Sequence, residues 1–67
     1  MIAKDLRNSN KGETLRLPEL AGKDKHRRYL IDSVVHSNAG YVRVYTTNAR
    51  GPWPLTLAND TPVEVTP

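Results

Sequence analysis

The sequence predicts an all-β domain, a single sheet rolled into a small five-stranded barrel. Three observations lead there. Short runs alternate apolar and polar side chains, the period of a half-buried strand. No stretch sustains the 3.6-residue spacing of an amphipathic helix. Clusters of Gly, Asn, Ser and Pro punctuate the runs and read as tight turns.

The clearest alternation is Tyr41-Val42-Arg43-Val44-Tyr45. On a strand, Val42 and Val44 face a core while Tyr41, Arg43 and Tyr45 stand in a row on the opposite face. Two rings flanking a guanidinium suit base stacking, phosphate contact or docking of a protein. The same pattern is also ordinary sheet cover, because Tyr is a good strand former.

The chain opens on an apolar lead, Met1-Ile2-Ala3, followed by Lys4-Asp5-Leu6-Arg7, with Leu6 expected in the core. Asn8 to Gly12 is a turn cluster. Glu13 to Leu17 alternates and is the first expected strand, with Leu15 and Leu17 inward; Pro18 ends it for want of an amide proton. Residues 18–28 form the longest irregular segment. Its Lys23, Lys25, Arg27 and Arg28, with Asp24 and His26 between them, make the most basic stretch of the chain. Such a loop suits phosphate contact, or else simply solvates a sheet edge.

Tyr29 to His36 is apolar without clean alternation. A β-bulge at Asp32-Ser33 resets the phase and brings both Ile31 and Val34 to the core. Ser37 to Gly40 is a hairpin loop, with Asn38 and Gly40 expected to accept positive φ. Tyr41 to Thr47 is the next strand, and Asn48 to Gly51 a second hairpin. Pro52 to Leu57 is expected at an edge, since Pro52 and Pro54 cannot donate to a ladder. Trp53 either caps the core or sits half-exposed at the rim beside the basic loop. Residues 58–61 read as one 3₁₀ turn before a last strand over residues 61–66. The expected core is Leu6, Leu15, Leu17, Ile31, Val34, Val42, Val44, Trp53, Leu55, Leu57, Val63 and Val65.

Sixty-seven residues make one domain, 1–67, with a small core. The absence of cysteine removes disulfides and thiolate metal sites as staples and fits a reducing cytoplasm. No apolar run approaches the roughly 20 residues of a membrane span, and no secretory signal opens the chain. The expectation is a cytoplasmic protein without a membrane partner.

Net charge is +3 at a pI near 9.6, and all ten Lys and Arg lie between Lys4 and Arg50. A basic surface favours anionic partners. His26 and His36 have no ligand at metal spacing, and no phosphate loop or nucleophile setting is present. No catalytic residue, metal or other cofactor is expected, and the chain reads as a non-enzymatic binding module.

The order of short strands, long loop, two tight hairpins and a single turn before the last strand resembles an SH3-like β-barrel. The chain is also similar to small barrels found in actinobacteria and their phages. The residues that carry this are Ala3, Asp5 and Leu6 in the lead, Gly12 and Glu13 in the turn, and Thr61, Pro62, Val63 and Val65 at the close. The Asn8 to Lys11 insertion and the basic loop before Tyr29 depart from that pattern. The resemblance implies a fold and no activity. An OB-like barrel is the structural alternative.

Two functions follow from the residues. In the first, Lys23, Lys25, Arg27 and Arg28 contact the phosphates of a nucleic acid while Tyr41, Arg43 and Tyr45 supply stacking and a further charge. In the second, Tyr41, Arg43, Tyr45 and Trp53 form the surface of a protein-interaction module, such as a phage or bacterial accessory factor that binds a host protein.

Overall fold

The structure, a computed structural model, describes residues 1–19 and 27–67. Six strands form one antiparallel sheet: β1 (Thr14–Arg16), β2 (Tyr29–His36), β3 (Tyr41–Asn48), β4 (Gly51–Pro52), β5 (Leu55–Ala58) and β6 (Glu64–Thr66). The order across the sheet is β4-β3-β2-β1-β6, and β5 pairs with β3 on the edge that β4 also uses. The all-β expectation holds. The five-stranded closed barrel does not, because the sheet is open and has six strands.

The extra strand has a local cause. Residues 51–58 run along β3 as one expected strand would, but Pro54 has no N–H and the ladder breaks around it. Trp53 keeps one bond, donating its N–H to the Thr46 carbonyl at 2.7 Å.

The chain's opening residues meet the segment that separates β5 from β6. Ile2 bridges Pro62, Ala3 N–H donates to Thr61 O, Lys4 N–H to Asn59 O, and Val63 N–H to Met1 O, all three hydrogen bonds at 2.8–2.9 Å. The lead thereby satisfies backbone groups of the 59–63 segment. Its 3₁₀ turn, η1 (Ala3–Asp5), buries Ala3 completely and is followed by the equally buried Leu6.

The 3₁₀ turn expected over residues 58–61 is a simple hydrogen-bonded turn, closed by Thr61 N–H to Ala58 O. The 3₁₀ turns lie instead at η1 and at η2 (Asn8–Asn10). η2 guards an edge. β1 pairs with β2 only at Tyr29 and Leu30, and beyond it the Asn8 side chain accepts the Val34 N–H at 2.8 Å. His36 Nε2 lies 2.6 Å from the Leu6 carbonyl. A carbonyl only accepts, so Nε2 carries the proton and donates. The Val34 amide, an edge group that would invite pairing with another chain, is thereby occupied by Asn8.

The bulge falls where the apolar phase required it: Ile31 pairs with Thr46 and Ser33 with Tyr45, leaving Asp32 as the extra residue. Gly40 (φ 89°) and Gly51 (φ 103°) take the left-handed positions of the two hairpins, whereas Asn38 does not adopt positive φ. The core joins Leu6, Leu15, Leu17, Ile31, Val34, Val42, Val44, Leu57 and Val63, with Trp53, Leu55 and Val65 packed against it. Ala3, Tyr29 and Thr46 are buried as well.

Candidate functional site

Antiparallel pairing decides which side chains share the outer face of the sheet. Val42 and Val44 are fully buried, so Tyr41, Arg43 and Tyr45 point away from the core, with Tyr41 37% and Tyr45 42% exposed. The Arg43 guanidinium carbon lies 5.9 Å from the Tyr45 ring centroid, within cation–π range. The pair is thus held together before any ligand arrives.

β2 widens this stripe. Val35 pairs with Arg43, and cross-strand diagonals place it within reach of both tyrosines. Val35 is 52% exposed, and Leu30 on the same strand is also exposed. The sequence reading passed over both, although the bulge it placed at Asp32-Ser33 already turns Val34 inward and Val35 outward. Thr56 faces Arg43 from β5, so the neighbouring side chain there is small and polar. On β1 and β6, Arg16 is committed to Glu64 at 3.3 Å, an exposed pair of little energetic weight.

The Asp32 carboxylate stands close to the stripe. Asp32 accepts a 2.7 Å hydrogen bond from the Thr47 hydroxyl, and Thr47 follows Tyr45 on the outer face of β3.

Beyond Thr47 the β3–β4 hairpin forms one wall of a concave region of about 400 Å³, lined by Arg27, Arg28, Asn48, Ala49 and Arg50. The Asn48 side chain accepts the Arg50 N–H at 2.8 Å, an Asx turn that sets the path of the loop. The Arg27 guanidinium carbon lies 5.8 Å from the Trp53 ring centroid. Trp53 is half-buried against the core with Arg27 above it, so it caps the core and borders the basic region at once.

Of the expected site residues, Tyr41, Arg43 and Tyr45 come together on the outer face, and Arg27 and Arg28 come together in the concave region. Lys23, Lys25 and His26 lie outside the described residues. Trp53 shares parity with the inward Leu55 and Leu57 and does not join the tyrosine face. Arg50 went unnoticed in the sequence because only the register of β2 on β3 brings it beside Arg28.

Among the described residues no group of three or more His, Cys, Asp or Glu is placed to hold a metal ion. Among the same residues, no helix is long and apolar enough to cross a membrane. Comparison with protein-family models, curated proteins and solved structures finds no match to this chain.

Proposed function

We propose that this protein is a non-enzymatic module that binds single-stranded nucleic acid across the outer face of its sheet. The observation that carries the reading is the exposed Tyr41-Arg43-Tyr45 stripe, leading along β3 toward a hairpin with three arginines around it. Rings on the face of a sheet accept unpaired bases, which offer a π-face whatever their identity. Arg43 between the rings and the arginines at the hairpin meet the sugar-phosphate backbone. Such a surface binds with weak sequence preference and strong salt dependence.

Anisotropy titration of a labelled oligothymidylate in low salt tests the reading. Tyr41→Ala and Tyr45→Ala each weaken binding by about 1–3 kcal/mol, while the corresponding Phe variants keep most of it. Absence of binding to every single-stranded oligonucleotide tried would sink the proposal.

Exposed Val35 and Leu30 favour a second reading, in which the same face docks a protein. A stoichiometric complex that survives nuclease and moderate salt, and is lost in Val35→Asp, selects it. Trp53 lies off that face, so in this reading Trp53 substitutions act through stability.

A further inference from the structure

The concave region at the β3–β4 hairpin is more highly charged than a track for an internal phosphodiester requires. An internal phosphate carries one negative charge and two free oxygens. Among the described residues the lining includes three arginines, Arg27, Arg28 and Arg50, and no carboxylate. Among the described residues neither Arg28 nor Arg50 makes an ion pair or side-chain hydrogen bond, whereas Arg27 is positioned against Trp53. A phosphomonoester has close to two negative charges at neutral pH and three terminal oxygens, the complement of several guanidinium forks. The volume of about 400 Å³ is in the range of small-ligand pockets and leaves room for a nucleoside beside the phosphate.

Its position adds direction. Asn48 follows Thr47 directly, so three residues of extended chain, about 10 Å, separate Tyr45 from the mouth. That is the span of a nucleotide or two. We propose that this pocket is a phosphomonoester site that captures the phosphorylated end of a strand whose following bases lie on Tyr45 and Tyr41. The inference rests on the single-strand reading for the source of the phosphate, and on the three arginines for its chemistry.

The test compares one 3′-labelled oligothymidylate bearing a 5′-phosphate with the same strand bearing a 5′-hydroxyl. Each is titrated against the wild type, the Arg28→Ala/Arg50→Ala double variant and Tyr41→Ala/Tyr45→Ala. Calorimetric titration with thymidine 5′-monophosphate forms a separate arm. Arg28 and Arg50 are at the surface, and circular dichroism confirms that the variants fold.

The expected result is about tenfold tighter binding of the phosphorylated strand. That advantage disappears in the arginine variant and survives in the tyrosine variant. Equal affinity for the two strands, with no mononucleotide binding, overturns the pocket and leaves the stacking surface standing. Mononucleotide binding that depends on Arg28 and Arg50, without binding of either strand, keeps the phosphomonoester site and removes the single-strand reading. Failure of every ligand to bind overturns both.

Discussion

Asp32 holds an informative position because it works against the proposed ligand. Its carboxylate lies beside Thr47, between the tyrosine stripe and the arginine-lined hairpin, and accepts the Thr47 hydroxyl. Asparagine preserves that acceptor and removes the charge. Asp32→Asn is therefore expected to leave the melting temperature nearly unchanged and to tighten oligonucleotide binding about twofold to fivefold at low salt. Unchanged or weakened binding by anisotropy would show that no phosphate passes this point. Asn8 tests stability instead. Its side chain is the acceptor for the partly buried Val34 N–H, so Asn8→Ala is expected to cost about 1–3 kcal/mol in urea unfolding. Asn8→Asp keeps an acceptor and loses less.

Individual strands were mostly legible where alternation was clean. β2 spans the residues its pattern suggested, and β3 runs one residue further than expected. Both are long enough for the apolar phase to fix the face, since a one-residue slip would turn Val42 and Val44 to water. β1 is shorter than expected, confined to Thr14–Arg16, the three residues that pair with β6. The N-terminal lead was the least legible segment. Its apolar composition placed Leu6 in the core, but its role beside residues 59–63 depends on partners more than fifty residues away. Deleting residues 1–6 removes the fully buried Ala3 and Leu6 and leaves the 59–63 backbone groups without partners. Loss of a cooperative thermal transition is the expected outcome, and a melting curve like that of the full chain would show the lead to be dispensable.

Taken as one body, the molecule places different chemistry on its two faces. The inner face holds a small apolar core that a chain of this length can only just assemble. The outer face holds rings and charge, with exposed arginines at one end. If Arg27, Arg28, Arg43 and Arg50 all engage phosphates, the logarithm of the association constant falls with the logarithm of salt concentration at a slope of about −3. Titrations across a salt series measure it directly, and a slope near zero points to an apolar, protein-like partner instead.

Local chemistry alone was enough to specify β2, β3, the hairpin between them, the bulge at Asp32 and the outward row of Tyr41, Arg43 and Tyr45. Each depends on residues a few positions apart, where side-chain parity and turn preference act. The open sheet, the placement of the lead, the edge covering by Asn8 and the meeting of Arg28 with Arg50 were decided only in three dimensions. They follow from which backbone groups find partners across long stretches of chain, and no short window of sequence contains both halves of such a pair.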